Sequence, residues 1–320
     1  MMMDVVIVGG GPAGLAAAQT LGRVRRDVLL LDSGEPRNAS SPAMHNFFTR
    51  DGTPPAEMRA IARAELAEYA TVRIRDEAVD SARRQADGTF HVALAGGETV
   101  RTRRILLATG VRDELPPIDG LGALWGRAAL HCPYCHGYEV RDAPLAVIGG
   151  TPDRARLALH LTRLSDDVVL CRNGAETPLD PDLRALLLAQ GIGIREEPVV
   201  RVREEGCAAG EPHVRITFAD GTALDRGALF VHGGMVQRSA LAAELGCAMF
   251  GDGLVDVDDM GRTTVPGVSA AGDMARRASM LGPAAAVIAA AASGTMAAVM
   301  LDQDLVGEAF GLPSPFAPRG

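Results

Sequence analysis

An α/β fold with two three-layer, nucleotide-binding-type domains is what this sequence predicts, and three observations predict it. A strand, glycine turn, helix and strand are legible in "DVVIVGGGPAGLAAAQTLGRVRRDVLLLD", Asp4–Asp32. The same unit returns in "PLAVIGGTPDRARLALHLTRLSDDVVLCRNG", Pro144–Gly174, and internal repetition of this kind implies a repeated fold. The length of 320 residues exceeds one ordinary core and suits two.

The elements of the first unit each have a reason. Val5 to Val8 is an apolar strand. Gly9-x-Gly11-x-x-Gly14, with Pro12 and Ala13 inside it, supplies a tight turn, close backbone approach to a pyrophosphate and close helix packing. The helix that follows offers its N-terminal N–H groups and dipole to the phosphate. Asp32 ends the second strand, placed to bond ribose hydroxyls. This is a Rossmann-like pattern with the right context on both sides. In the second unit the turn reads Gly149-Gly150-Thr151-Pro152-Asp153-Arg154. Thr151 stands where backbone should meet pyrophosphate, and Arg154 where a small residue should let helix meet strand. The fold survives these changes; the nucleotide site is expected to be degenerate.

Composition bounds the function. The chain is 47% hydrophobic and 22% charged, which is globular. All 32 basic residues are arginine. A net charge of -8 argues against nucleic-acid or anionic-membrane partners. The opening "MMMDVVIVGG" lacks the basic n-region of a secretory signal. The stretch Gly282–Leu301 has the length of a membrane span, but it is mostly alanine and reads as a packed helix. A cytoplasmic protein is expected. Of the five cysteines, only Cys132 and Cys135 are paired by spacing; Cys171, Cys207 and Cys247 read as small buried hydrophobes.

Those two cysteines lie in "HCPYCHGYE", His131–Glu139. Zinc requires four ligands, and no second Cys/His pair at suitable spacing is present, so no metal is expected. A structural disulfide across two residues closes a tiny loop and stabilises little. A redox pair is the remaining reading. His136 can accept a thiol proton near neutral pH, against the alternative that it merely bonds a backbone carbonyl. His131 has only adjacency to recommend it.

With these motifs in this order, the chain resembles the low-molecular-weight thioredoxin reductase-type, FAD-dependent pyridine nucleotide-disulfide oxidoreductases over nearly its whole length. "LLATGV", with Thr109 and Gly110, resembles the second FAD segment. "VPGVSAAGD", with Gly272 and Asp273, resembles the third, whose aspartate bonds the ribityl chain. "HNFFTRDGTPP" resembles a segment in which an asparagine, here Asn46, contacts FAD, and Val79 is carried over as a further cofactor contact. "CPYC" sits where the family keeps its redox disulfide. The resemblance implies a discontinuous FAD domain, residues 1–114 and 236–320, with an NAD(P)-type domain, 115–235, inserted. It implies that Cys135 lies against the flavin and that Cys132 exchanges with substrate sulfur. Pro283 is expected in the first turn of a helix facing the flavin. Ala285, Ala286 and Val287 stand where the family often has Arg-Gln-Ala.

His136 replaces the usual aspartate, and CxxCH with a "GYE"-like continuation resembles one branch, the dithiol oxidases of disulfide natural products of the holomycin and gliotoxin type. The branch implies oxidation of a small-molecule dithiol, with electrons passing through FAD to oxygen. The family holds the NADPH 2′-phosphate through a His-Arg-Arg-type run; here Cys171, Arg172 and Asn173 stand there, which argues against NADP(H). Each lost charged hydrogen bond costs roughly 1.5–3 kcal/mol. Two alternatives stay open. One is a reductase of a thioredoxin-like protein drawing on NAD(P)H or another donor; the other is a non-catalytic flavoprotein redox sensor. A homodimer is expected by resemblance and because symmetric dimers are the commonest oligomers.

Overall fold

The computed structural model describes residues 2–206 and 213–313; Cys207 lies outside them. The chain forms two compact units. The first comprises Met1–Ala39, Thr53–Arg112 and Met235–Gly320, and the second Ser40–Gly52 and Asp113–Gly234. Ser40–Gly52, which carries Asn46 and the "HNFFTRD" run, groups with the second unit.

In the first unit a seven-stranded sheet runs in the order Val72–Arg75, Val28–Leu31, Met2–Val8, Thr99–Leu107, Phe90–Leu94, Val79–Arg84. The first four strands are parallel. Thr99–Leu107 is long enough to share its other edge: its first half pairs antiparallel with Phe90–Leu94, its second half parallel with Val268–Ala270. Met2–Val8 is covered on both faces. Val5 and Ile7 join the helix-side core, whereas Val6 and Val8 join the core on the opposite side. A strand buried on both faces reads as an unbroken apolar run, which is how the sequence reads here.

Helix Pro12–Arg23 packs against the long helix Val287–Phe310. Gly294 makes the approach possible, because a Cβ there would overlap the backbone of Ala13. The long helix begins at Val287, not at Pro283 as expected. The alanine-rich lead-in has no Ser, Thr, Asp or Asn to cap an earlier start. A tight local turn, Ala286 N–H to the Ala284 carbonyl at 2.7 Å, precedes the helix, and the cap residue Ala286 is itself extended. No helix among the described residues is long and apolar enough to cross a membrane.

The second unit repeats the plan. Its five-stranded parallel sheet has the order Gly193–Arg195, Val168–Cys171, Leu145–Ile148, Ala228–Val231, Ala129–Leu130. As in the first unit, the strand before the glycine turn is flanked by the strand after the helix. Leu145 and Val147 pack with Ala155, Ala158 and Leu161 of helix Pro152–Leu161. Ala146 and Ile148 face a core shared with the antiparallel sheet Val199–Glu204, Val214–Phe218, Ala223–Arg226. Helices, parallel sheet and antiparallel meander are the three layers.

Candidate active site

The first glycine turn is built to admit a dinucleotide. Gly9 has φ 116°, and a Cβ on Gly14 would overlap the Gly9 carbonyl oxygen, so two of the glycines are required by the turn itself. Gly11 differs. A Cβ there would meet nothing within 4 Å, so glycine at this point keeps a cradle open rather than relieving a clash. Gly11 is the cap residue of helix Pro12–Arg23, and no side chain caps it. Free N–H groups of the first turn therefore face that space. Pro12 occupies the first helical position, where a missing N–H costs nothing, and Ala13 is buried beneath.

Asp32, 5% exposed, follows the strand Val28–Leu31. Its Oδ1 accepts from Gly34 N–H at 3.0 Å, and its Oδ2 accepts from Arg59 at 2.6 Å and Arg63 at 3.3 Å. Arg59 also donates to the Gly10 carbonyl at 3.3 Å, tying the carboxylate to the glycine turn. Gly272 donates its N–H to Ser293 Oγ at 3.0 Å, which fixes the loop before Asp273 to the long helix, and Asp273 accepts from Arg37 at 2.9 Å. Thr109 Oγ1 donates to Met274 Sδ at 3.3 Å, and the Gly110 carbonyl accepts from Arg238 N–H at 3.2 Å. Val79 stands opposite Leu94 in the sheet, half-buried against the core. Glycine turn, Asp32 and Asp273 all belong to one unit, and the open cradle at Gly11 fits FAD. Asn46 belongs to the other unit, exposed, with φ 60° and its N–H bonded to Asp51 Oδ1 at 2.7 Å.

The second glycine turn has the same backbone and different chemistry. Thr151 caps helix Pro152–Leu161 in extended conformation, as Gly11 does its own helix. The stem of Arg154 lies along Gly149, where an added Cβ would meet Arg154 Cγ at 2.8 Å, and its Nη1 is buried without a hydrogen-bond partner. Arg172 is 4% exposed. It donates to Glu196 Oε2 at 2.8 Å and to the Thr177 carbonyl. Hydrogen bonds from Arg184, and after it Arg172, hold Glu196 below the usual carboxylate range, so a negative charge sits beside the one arginine of the run. Asn173 Oδ1 accepts from Val199 N–H at 2.8 Å. Cys171 is buried, and burial pushes its thiol up to about 12; Cys247 is buried too. Both are the small core residues expected.

Cys132 and Cys135 form a disulfide with Cα atoms 5.3 Å apart. Cys132 caps the one-turn helix Pro133–His136, and its carbonyl accepts from the N–H groups of Cys135 and His136, each at 3.2 Å. Gly137 closes the turn, where a Cβ would overlap the Pro133 carbonyl oxygen and press on Leu164 Cδ1. Both cysteines are half-buried. So is His136, and burial, then the charge of His45, lower its pKa below the ordinary histidine value against the opposing pull of Glu139. The shift favours the neutral imidazole, the form able to take a proton. His131 stacks on Trp125, ring centroids 5.6 Å apart. Among the described residues no three His, Cys, Asp or Glu side chains assemble a metal site.

Sequence reasoning did not single out His45, whose ring meets that of His136 edge-on at 6.3 Å. It also passed over Arg59 and Arg63 around Asp32. Their motif signal is faint: "HNFFTRD" places His45 six residues before Asp51, and "CHGYE" places Glu139 three after His136.

The model of the family described as pyridine nucleotide-disulphide oxidoreductase matches residues 3–292. The chain belongs to that family. Curated relatives carry thioredoxin reductase names: the protein named thioredoxin reductase tcpT from Claviceps purpurea (strain 20.1) is 34% identical over 96% of this chain and 97% of its own. Among solved structures, HlmI superposes with a TM-score of 0.87 at 41% identity, covering 97% of this chain and 94% of the other. An oxidoreductase from Agrobacterium tumefaciens gives 0.86 at 35% identity, covering 96% and 99%. The family carries with it FAD binding and oxidoreductase chemistry on sulfur groups, and the α/β architecture of these neighbours is the one described above. This chain is thus a thioredoxin reductase-like flavoprotein with a cysteine pair joined as a disulfide.

Proposed function

We propose that this flavoprotein oxidises a small-molecule dithiol to its disulfide, with oxygen as the final acceptor and without NADP(H). The observation that carries this reading is the second glycine turn. Thr151 stands at the helix entrance, Arg154 lies along Gly149, and Arg172 is already paired with an ionised Glu196. An incoming 2′-phosphate would meet that carboxylate and find its arginine engaged. Losing two charged hydrogen bonds of roughly 1.5–3 kcal/mol each weakens a micromolar site by about 10²–10⁴-fold. Electrons then enter through the disulfide.

The protein's own part is thiol exchange and proton transfer. His136 takes the proton from one substrate thiol. The resulting thiolate attacks Cys132 Sγ, breaking the Cys132–Cys135 bond and releasing Cys135 as thiolate. The second substrate sulfur attacks the first and expels Cys132, its proton passing to the departing Cys132 sulfur. Substrate leaves as the disulfide, and the cysteine pair holds two electrons. Bound FAD would supply a two-electron acceptor for that pair and a route for both electrons, with two protons, to oxygen as hydrogen peroxide. Gly9, Gly11, Gly14, Asp32, Thr109, Gly272 and Asp273 are the residues that would hold it. We assign the active form as a cytoplasmic homodimer.

Anaerobic mixing decides the question. Dithiothreitol, as a probe dithiol, should bleach the flavin absorbance rapidly, whereas NADPH at the same concentration should not. In air the dithiol reaction should yield one peroxide per disulfide. Rapid bleaching by NADPH, or micromolar NADPH binding by titration calorimetry, would overturn the reading in favour of a thioredoxin-type reductase, which the names of the curated relatives favour. No turnover with any dithiol would leave the redox sensor.

A further inference from the structure

Beside the disulfide the second unit carries a set of ionisable groups larger than thiol exchange by His136 alone requires. His45 comes from the Ser40–Gly52 segment, about ninety residues earlier in the chain, and its ring meets His136 edge-on. Its Nδ1 is buried, forms no hydrogen bond, and lies 3.5 Å from Asp51 Oδ2 and 3.5 Å from Glu139 Oε1. Asp51 is tied in place by accepting from Asn46 N–H at 2.7 Å. The side chains run from covered to open: His45 is 17% exposed, Glu139 39% and Asp51 65%. A half-buried base, a covered imidazole and two more exposed carboxylates are therefore linked through His45.

We propose that His45, anchored between Asp51 and Glu139, is a positioning residue for His136 that sets the protonation of that base during dithiol oxidation. The proposal rests on the reading of His136 as the base, and it adds the Ser40–Gly52 segment to the machinery. The groups facing His136 are His45 from that segment and Glu139 from the turn Tyr138–Val140. Asp51 acts through His45, and the cysteines titrate only once reduced. Positive charge on His45 disfavours a second proton on its neighbour, while Glu139 favours one. This agrees with the direction found for His136, lowered by His45 and raised by Glu139.

The two neighbours therefore give opposite signs, which a merely structural role would not. With His45→Asn the pKa of His136 should rise, moving the acid limb of dithiothreitol-driven flavin reduction to higher pH. The rate should fall about three- to tenfold at pH 6 and match wild type by pH 8. Glu139→Gln should move the same limb to lower pH. Asp51→Asn, at an exposed position, should follow His45→Asn in direction and serves if that variant does not fold. The His136 ring signal, followed by NMR across pH in the oxidised protein and assigned with His136→Gln, should move with each limb. That titration needs neither substrate nor oxygen, so it decides on His45 even if the oxidase reading fails. An unmoved His136 titration in both His45→Asn and Asp51→Asn, or a Glu139→Gln shift of the same sign as theirs, would overturn the proposal.

Discussion

His136 is a weaker base than an exposed histidine but a more available one, because burial keeps it unprotonated to lower pH. A thiol must lose its proton before it can attack sulfur, and general-base help is worth about 10²–10⁴-fold. His136→Ala should therefore slow dithiol-driven flavin reduction by about that factor near pH 7, read by stopped-flow absorbance. The sign with pH follows from what replaces the base. As pH rises toward the thiol pKa, solution thiolate supplies the nucleophile and the defect should shrink. Below the ordinary histidine value the wild-type protein should keep its advantage until His136 itself protonates. A defect constant with pH would make His136 structural. Oxidation of the reduced flavin by oxygen involves no substrate thiol and should change much less.

The glycines of the first unit separate two kinds of requirement at the level of elements. Gly294 is where two helices meet backbone to backbone, whereas Gly11 borders open space. Gly294→Val should cost about 3 kcal/mol of overpacking and lower Tm by roughly 5–10 °C, measured on the apoprotein. Gly11→Ala should leave the apoprotein Tm nearly unchanged while reducing retained flavin, measured by absorbance after desalting. Both strand–turn–helix units were legible in the sequence because their signals are local: an apolar run, a glycine spacing, a charged residue at the next strand's end. The helix start at Val287 was not, since a run of alanines is as compatible with Pro283 as with Ala286 until the Ala284–Ala286 turn is seen. His45 was not legible for another reason. Only the fold brings residue 45 to residue 136, and neither position carries a motif that names the other. Arg172 shows the limit of a third kind: the sequence leaves one arginine for a phosphate, but its burial against Glu196 is a tertiary fact.

At the scale of the whole molecule, the proposed homodimer should scatter light as twice 33.4 kDa at micromolar concentration, and a monomer mass would refute it. The discontinuity of the first unit has a further consequence, which lies in the order of synthesis. Ala13 emerges from the ribosome early, yet the glycine that must seat against it, Gly294, is made about 280 residues later, a delay of roughly 15–60 s at common elongation rates. Residues 113–234, with the 40–52 segment they enfold, are complete well before that. The inserted unit therefore has every residue it needs while the outer unit still lacks its longest helix. During that interval the apolar face of helix Pro12–Arg23 has no native cover from Val287–Phe310. A ribosome stalled just short of Gly294 would hold every residue of the inserted unit while the discontinuous unit still lacked most of its long helix.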